Sequence, residues 1–431
     1  MLLIYTHKIT PRFSYIMRQV FPRILGIEVS FTTKVEDFIK HSGAKITYTK
    51  QPLQNEFFVR SNDLLFEHGI NDIQINVMDW EGVPCFFTTS ENSALPYDIF
   101  SASFYLLSRY EEYLPHVKDI HGRFSPKDSI AYQNNFLTLP VVDLWANKLL
   151  DRLLERFPDM EVKKPDYKYI SIIDVTTSHC YAHRGFTRSL AGLLLDLAKF
   201  RIKRLFERVV VWFNPVKDPY DNFDFLIQKR KEYDLNCMFF FQFASYSTYD
   251  KNVSPNNNNF RHLIKSIADY CKVSLAASYS SFNNVELLRG EKKNLAEVIN
   301  RQVEFSRMRY NRVDVPQTYR NLVDAEFTDD FTMGYTHEIG FRAGTSFPFY
   351  LYDINMELQQ PIRVHSFAFH DYALHEETSI TTILEKVRSL YQEVKKVNGE
   401  FISVFSNELL GTDHPIDWKE TYEAIIKNYH V

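Results

Sequence analysis

The sequence lacks the features that mark several large classes of protein. No apolar run approaches the ~20 residues that a helix needs to cross a bilayer, and the apolar stretch after Met1 is too short for a secretory signal. The net charge of −4 gives no basic surface of the kind that binds nucleic acid. We therefore expect no membrane span, no nucleic-acid partner and a cytoplasmic location.

Paired cysteines and the common reaction motifs are also missing. The four cysteines are far apart and form no CxxC pair, which predicts free thiols in a reducing compartment. We find no nucleophile elbow, phosphate loop or dinucleotide fingerprint. What the chain does have is length and apolar content: 431 residues, 45% of them hydrophobic, are enough for two or three well-packed domains.

Hydrophobic patterning predicts two different halves. Residues 1–163 mix helical periodicity with short β-rich segments and predict an α+β domain in which nothing looks like a reaction centre. Residues 164–431 alternate between strands and helices. Predicted strands cover residues 169–175, 237–243, 273–277, 338–343 and 401–405, and a long helix is predicted over 188–208. Such alternation favours a mainly parallel sheet, closed or nearly closed into a barrel, with its chemistry at the carboxyl ends of the strands.

The first of these strands ends at a candidate metal site. Asp174 is followed by His179 and His183, and a carboxylate with two imidazoles could hold a divalent, zinc-like ion. If this segment is helical, the two histidines are neighbours on one face. The alternative is that they are ordinary surface histidines, as an isolated HxxxH pair usually is.

Other polar residues follow the later strands. His370 and Asp371 could act as a general base pair or form a satisfied polar patch. An arginine between small residues, Arg342, could hold a carboxylate or cap backbone carbonyls. The remaining candidates for a binding cleft are Asp218, Asp221, Ser278, Tyr279 and His365. For Asp218, which precedes a proline, a turn or helix-capping role is the alternative.

Several segments resemble polysaccharide deacetylase-like proteins of the NodB-homology type, mostly from Bacteroidetes. In the first half these are residues 9–12, 63–67, 104–114 and 121–124, which resemble the companion domain of that family. In the second half they are residues 218–223, 249–252, 278–279 and 340–345. The resemblance implies a deformed (β/α) barrel over residues 164–431, preceded by the α+β companion domain.

The resemblance also implies a metal mechanism for which this chain lacks most of the residues. Such deacetylases use an aspartate and two histidines as ligands, a second aspartate as base and a later histidine as acid, while the metal activates water. Asp174 matches the ligand aspartate. At the position of the base this chain has Ile172. At the three histidine positions it has Ala276, Val303 and Ser406. The resemblance therefore supports the barrel fold but not the metal-dependent deacetylation.

Three functions remain open at this point. The first is a degenerate deacetylase-like protein that binds a glycan or lipid-linked saccharide, or assists an active enzyme of surface-carbohydrate metabolism. The second is an active hydrolase with a rebuilt centre that includes Asp174, His179, His183 and Asp371, which would need a divalent metal. The third is a scaffold that binds a protein partner, for which a cleft filled with bulky side chains would be expected.

Overall fold

A computed structural model describes residues 1–215 and 218–431. The first part contains a four-stranded, entirely parallel sheet with the order β2-β1-β3-β4 and a separate two-stranded hairpin, β5-β6. The strands are β1 (Leu2–Tyr5), β2 (Val29–Thr32), β3 (Lys45–Thr49), β4 (Phe57–Arg60), β5 (Met78–Trp80) and β6 (Val83–Cys85). The parallel pairing makes this part an α/β unit, which the mixed pattern of the sequence did not resolve.

Five α-helices belong to this first part of the chain. They are α1 (Pro11–Arg18), α2 (Val35–Lys40), α3 (Ile99–Leu107), α4 (Ile130–Gln133) and α5 (Val141–Arg156). The start of α1 follows directly from its sequence. Thr10 Oγ1 accepts a hydrogen bond from the N–H of Phe13 at 3.0 Å, and Pro11 occupies the first helical position, where no backbone donor is needed.

The second part is built on a nine-stranded sheet with the order β12-β13-β11-β10-β9-β8-β7-β15-β14. Every pairing is parallel except β12 with β13. The two outermost strands do not pair with each other in the described chain, so the sheet is a curled, open barrel. Its strands are β7 (Lys168–Val175), β8 (Cys237–Phe241), β9 (Lys272–Ala277), β10 (Phe305–Met308), β11 (Asp329–Asp330), β12 (Phe349–Asp353), β13 (Leu358–Val364), β14 (Phe369–His370) and β15 (Glu400–Ser406).

Helices connect most of these strands, as parallel pairing requires. They are α6 (Phe186–Ala198), α7 (Ile202–Phe213), α8 (Phe223–Glu232), α9 (Asn258–Ala268), α10 (Val285–Ile299), α11 (Gln317–Asp324), α12 (Ile380–Val397), α13 (Asn407–Gly411) and α14 (Trp418–Tyr429). The predicted α/β class and the deformed barrel in the second half of the chain are confirmed.

The alternation of side chains along each strand decides what fills the barrel. Ile170 and Ile172 of β7 face inward, with Ile402 and Val404 of β15, and they belong to a small buried cluster of nine residues. Two residues further along β7, the same face presents Asp174. The interior therefore changes from apolar to polar at the carboxyl ends of the strands.

Two predicted elements are wrong. The predicted helix over 188–208 is two helices, α6 and α7, separated at Phe200, which has φ +50°. Residues 338–343 form no strand. Gly340 has φ +124°, and a Cβ there would lie 2.2 Å from the carbonyl oxygen of Leu137. The neighbouring N–H of Phe341 donates to that same oxygen at 2.8 Å, so this backbone bonds to the first part of the chain instead of to a strand.

The two parts of the chain share one continuous apolar core. Tyr15 of α1 donates from its hydroxyl to the carbonyl of Tyr350 in β12 at 2.8 Å, and Phe104 of α3 packs edge-on against Tyr352. Within residues 1–215 and 218–431, no helix combines the length and the apolar character needed to cross a membrane.

Candidate functional site

The candidate functional site is a cavity of about 370 Å³ at the carboxyl edge of the barrel. Asp174 of β7, Arg307 of β10, His370 of β14 and Ser406 of β15 all reach it from strand ends, which is where chemistry is expected in such folds. Its other lining residues are His121, Arg123, Thr176, Ala276, Met308, Arg309, Tyr310, Asn311, Thr336, His337, Tyr372 and Glu408. His121 and Arg123 come from the first part of the chain, so both parts build this cavity.

An ion pair lies across the base of the cavity. Arg307 donates from Nε to both carboxylate oxygens of Asp174, at 2.9 and 2.8 Å. The rest of the guanidinium is held in place, because Nη2 donates to Asn311 Oδ1 at 2.7 Å and Nη1 donates to the carbonyl of Phe331 at 2.5 Å. Both side chains are buried, so the carboxylate has a fixed and fully charged partner.

His370 extends this charge arrangement. Its Nε2 lies 3.5 Å from Asp174 Oδ2, and its Nδ1 lies 2.6 Å from Asp371 Oδ1. The other oxygen of Asp371 accepts hydrogen bonds from the backbone N–H and the hydroxyl of Ser406, at 2.7 and 2.9 Å. The imidazole therefore stands between two carboxylates, one facing the cavity and one fixed beneath it.

The pKa shifts follow from these partners. Burial by itself would raise the pKa of Asp174, but the charge of Arg307 and the contact with His370 outweigh it and lower the pKa. Burial would lower the pKa of His370, but Asp371 and Asp174 reverse this and raise it. The carboxylates on either side of His370 thus favour its protonated form, and Arg307 favours the ionised form of Asp174.

Four aromatic rings cluster at one side of the cavity, where His121 and Tyr310 line it and Tyr249 and Tyr279 pack against them. His121 stacks on Tyr310, with ring centroids 4.7 Å apart, and Tyr249 stacks on Tyr279 at 4.1 Å. Tyr310 meets Tyr279 edge-on, and the guanidinium of Arg312 lies 4.0 Å from the centre of the Tyr279 ring. Burial and the nearby Arg123 lower the pKa of His121, which favours the neutral imidazole. We call these four rings the aromatic rim.

The two histidines predicted as metal ligands lie in a loop. Residues 176–185 are not helical, and His183 has φ +59°. The rings of His179 and His183 contact each other edge-on with centroids 4.9 Å apart. His179 is buried, and its Nδ1 lies 3.1 Å from Ser178 Oγ. Burial lowers the pKa of His179 well below its ordinary value, which keeps this ring neutral.

Asp218 and Asn252 hold this loop in position. The carboxylate of Asp218 accepts hydrogen bonds from the backbone N–H groups of Cys180, Tyr181 and Ala182, at 2.7 to 2.9 Å. Asn252 Oδ1 accepts from the N–H of Ser178 at 2.8 Å. Within its own turn, Asp218 Oδ1 also accepts from the N–H of Tyr220 at 3.0 Å, which is the turn-cap role that its position before proline allowed.

The residues present do not fit a divalent metal. Among residues 1–215 and 218–431, no three His, Cys, Asp or Glu side chains come together as metal ligands. Both carboxylate oxygens of Asp174 accept from the guanidinium of Arg307, whose positive charge repels a cation. Asp174 contacts neither His179 nor His183 in any hydrogen bond or ion pair of the described chain. The predicted set of three ligands is not brought together.

Arg342 is not part of the cavity at the strand ends. It is buried and pairs with Glu112, at 2.9 Å from Nε and 2.7 Å from Nη2, while Arg109 donates to Glu112 from the other side at 2.8 Å. Its role is structural, because it joins the barrel to the first part of the chain. The sequence could not show this, since the partner lies 230 residues away.

His365 lies at the opposite edge of the barrel. Its Nε2 is 2.9 Å from Asp329 Oδ1 and its Nδ1 is 3.0 Å from Glu400 Oε2. Glu400 is the first residue of β15, whereas Ser406 at the cavity is the last. Burial would lower the pKa of His365, but the two carboxylates outweigh it and raise the pKa.

The other predicted residues lie near or outside the cavity. Ser278 donates from its hydroxyl to Glu291 at 2.5 Å and is buried, while Tyr279 belongs to the aromatic rim. Asp221 lies at the surface outside the cavity, and its pKa is raised by partial desolvation of the carboxyl group and by the nearby Asp224 and Asp218.

Sequence reasoning missed the arginine that dominates the site. The short strand β10 was not predicted, so Arg307 was not placed at a strand end. The histidine of the resemblance was assigned to Val303, which precedes β10 and lies at its amino end, away from the cavity. The signal available in the sequence is the spacing of Arg307, Arg309 and Arg312, every second or third residue. Likewise His121 was noted only as part of a family motif.

Comparisons with known proteins give limited matches. Residues 2–158 match the sequence model of DUF7033, a family of unknown function. No curated protein matches the chain. Among solved structures, the chain is similar to a candidate polysaccharide deacetylase from Mycobacterium smegmatis, with 13% identity and a TM-score of 0.39 over 62% of this chain and 86% of that one.

Two further structures are similar at the same level. One is a polysaccharide deacetylase from Bacillus cereus, with 12% identity and a TM-score of 0.29 over 61% of this chain and 86% of that one. The other is a CE4 family pseudoenzyme from Bacillus anthracis, with 10% identity and a TM-score of 0.31 over 62% of this chain and 61% of that one. At these identities and TM-scores the likeness says nothing about activity.

Proposed function

We propose that the chain is a deacetylase-like protein that binds a glycan in the cavity at the strand ends and does not perform metal-dependent deacetylation. The observation that carries the proposal is the ion pair between Arg307 and Asp174. The one aspartate that matches a ligand of the resembled enzymes is held by a buried guanidinium, and a cation in that position disfavours a metal.

The cavity itself supports binding of a neutral sugar. It has room for a monosaccharide unit, and the buried carboxylate of Asp174 is already paired with Arg307. The aromatic rim offers ring faces on which a pyranose can stack, while Thr336 and Asn311 offer polar groups for its hydroxyls. An open cavity of this kind favours a binding function over a scaffold with a filled cleft.

The proposal keeps the division of the chain predicted from the sequence. With residues 1–163 as the companion domain and 164–431 as the barrel domain, His121 and Arg123 would be a contribution of the companion domain to the cavity. Arg123 donates to the carbonyl of Tyr310 at 3.0 Å and so fixes the two parts together at the aromatic rim. The companion domain would then complete the binding site.

Calorimetric titration of the full chain with tri-N-acetylchitotriose tests the binding. We expect binding, weakened about tenfold or more in Tyr310→Ala because a stacking face is removed. Tyr270→Ala is the matched control, since Tyr270 is an exposed tyrosine outside the lining of the cavity. No heat with this probe or with a cellulose trisaccharide, together with failure of both to shift the thermal unfolding midpoint, would overturn glycan binding.

An acetate-release assay tests the second half of the proposal. The full chain is incubated with the same acetylated trisaccharide in the presence of Zn²⁺, Co²⁺ or Mn²⁺, and we expect no acetate above the protein-free background. Release of acetate that is lost in His370→Gln would instead establish the rebuilt hydrolase, with His370 and Asp371 as its acid–base pair.

A further inference from the structure

The helical hairpin of α6 and α7 exposes its apolar side chains and buries polar ones. In α6 the apolar stripe of Phe186, Leu190, Leu194 and Leu197 follows helical spacing, but all four side chains are exposed. The buried positions of this helix are Ser189 and Asp196. An apolar stripe at this spacing normally faces a core, so the exposed side of the helix lacks its partner.

The second helix repeats the pattern. Ile202, Phe206 and Phe213 are 76%, 69% and 87% exposed, and Phe200 in the connection is 87% exposed. Only Val211 of α7 is buried. Exposed apolar surface on this scale is rare on proteins that meet only water.

The inner side of the hairpin is closed by a salt bridge. Arg208 of α7 donates to Asp196 of α6, from Nη2 at 2.8 Å and from Nε at 3.2 Å. Gly192 makes room for this contact, because a Cβ there would lie 2.7 Å from the guanidinium. The hairpin thus has charged groups inside and apolar groups outside, and this arrangement is held by specific contacts.

Positive charge accompanies the exposed apolar surface. Residues 184–213 contain seven lysines and arginines against two carboxylates, a net charge of +5, whereas the whole chain carries −4. Lys199 and Arg201 stand in the connection between the helices and are exposed. The segment is therefore a basic, apolar element on an otherwise acidic protein.

We infer that this hairpin docks the protein on an anionic lipid bilayer, lying in the interface without crossing it. Exposed Phe, Leu and Ile side chains would enter the boundary between headgroups and acyl chains, and the lysines and arginines would contact acidic headgroups. A second copy of the chain fits this surface less well, because two hairpins of +5 would face each other and charged residues are depleted at the centres of protein interfaces. The proposal does not depend on glycan binding, since it uses different residues.

Sedimentation of the full chain with vesicles tests the docking. We expect binding to mixed phosphatidylcholine and phosphatidylglycerol vesicles, weaker binding to phosphatidylcholine alone, and release as salt is raised. Absence of binding to the mixed vesicles at low salt would overturn the proposal.

Variants of the hairpin separate the apolar contribution to vesicle binding from the electrostatic one. The first variant combines Phe200→Ser, Phe206→Ser and Phe213→Ser. We expect it to bind vesicles at least about tenfold more weakly, because three apolar side chains that would be buried in the bilayer are gone. The control is Ile39→Ser, which changes an equally exposed side chain on α2. Lys199→Glu with Arg201→Glu is expected to abolish the preference for phosphatidylglycerol, with Lys40→Glu as its control. Equal binding by the hairpin variants and their controls would contradict the inference.

Tryptophan fluorescence reports on the same surface directly. Trp212 in α7 is 42% exposed, whereas Trp80, Trp145 and Trp418 are at most 5% exposed. Addition of the mixed vesicles is expected to shift the emission to the blue, and Trp212→Phe to lose this shift while still sedimenting with the vesicles. A shift that persists in Trp212→Phe would place the contact elsewhere and overturn the assignment.

Sedimentation velocity without lipid tests whether a second copy of the chain binds the hairpin instead. We expect the wild-type chain and the triple phenylalanine variant to have the same association state. Self-association that disappears in the triple variant, together with absence of vesicle binding, would show that the hairpin joins two copies of the chain, which would overturn membrane docking.

Discussion

Arg307 and Asp174 meet across the mouth of the barrel although their strands are not neighbours. Strands β8 and β9 lie between β7 and β10, so in a flat sheet the two backbones would be about 14 Å apart. The curl of the sheet, together with the length of the arginine side chain, brings Nε to within 2.9 and 2.8 Å of the two carboxylate oxygens. The ion pair is therefore a product of the barrel.

Removal of Arg307 is expected to destabilise the protein strongly. Arg307→Ala leaves Asp174 buried without its cation, which costs about 3 to 5 kcal/mol in unfolding free energy at neutral pH. The pKa of Asp174 should then rise, so the loss should be smaller in acid, where the carboxyl is protonated. Urea unfolding at neutral and acidic pH measures both effects.

A double variant provides the control for that experiment. Arg307→Ala with Asp174→Asn should recover part of the lost stability, because no buried charge is left unpaired. Recovery should be incomplete, since the hydrogen bonds of Arg307 to Asn311 and Phe331 are lost as well. A single variant as stable as the wild type would show that the pair is not buried in solution.

His370 is expected to make stability depend on pH. Its pKa is raised in the folded protein, so its stabilising contribution is fully present below the unfolded value of about 6.5 and is lost as pH rises through the folded pKa. His370→Gln should lose this dependence. Urea unfolding at several pH values, with His262→Gln as an exposed control, measures the difference. A raised pKa should also be visible in the NMR titration of the imidazole.

Glu112 is expected to be essential for the contact between the two parts of the chain. It pairs with both Arg109 and Arg342, and all three side chains are buried. Glu112→Gln leaves Arg342 without its carboxylate and Arg109 with Glu111 as its remaining one, and should cost about 3 to 5 kcal/mol in unfolding free energy. Glu28→Gln, at an exposed position, should change stability little. Similar unfolding midpoints for the two variants would contradict the structural role of Arg342.

We expect ionisation of Asp143 to lower the free energy of unfolding as pH rises from about 4 to about 7. Burial raises its pKa to about 7, although Thr345 and Ser346 donate hydrogen bonds to it. Because the unfolded carboxyl ionises near pH 3.9, ionisation favours the unfolded chain over this range, by up to about 4 kcal/mol. Above about pH 7 both states are ionised and the dependence ends.

Asp143→Asn tests this assignment with little change of shape. The amide can accept from Ser346 and donate to Thr345 Oγ1, so the variant should fold normally and lose the decline in stability between about pH 4 and pH 7. Urea unfolding of the two proteins at acidic and neutral pH measures the difference. An unchanged pH profile would show that Asp143 is ionised in the folded state.

Much of the fold could be predicted because local patterns carry it. The apolar runs of β7, β8, β9 and β15 identify strands buried on both sides. Strands β10, β11 and β14 were missed because they have two to four residues and no pattern of their own. Their positions are set by the neighbours with which they pair.

The candidate site was predicted only in part, for the same reason. The rule that chemistry lies at the carboxyl ends of strands singled out Asp174 and His370, and both line the cavity. The same rule misplaced Arg342, since residues 338–343 are not a strand, and it did not find His121, which comes from the other part of the chain.

The sequence alone determined the alternation of strands and helices, the apolar interior of the barrel and the absence of the expected histidines. Tertiary structure alone decided the partner of each charge and the side on which each apolar stripe lies. Arg307 pairs with Asp174 because the sheet curls, and Phe206 faces outward because Asp196 and Arg208 occupy the inner side of the hairpin. Periodicity defines a face, but only the packed neighbours determine what that face meets.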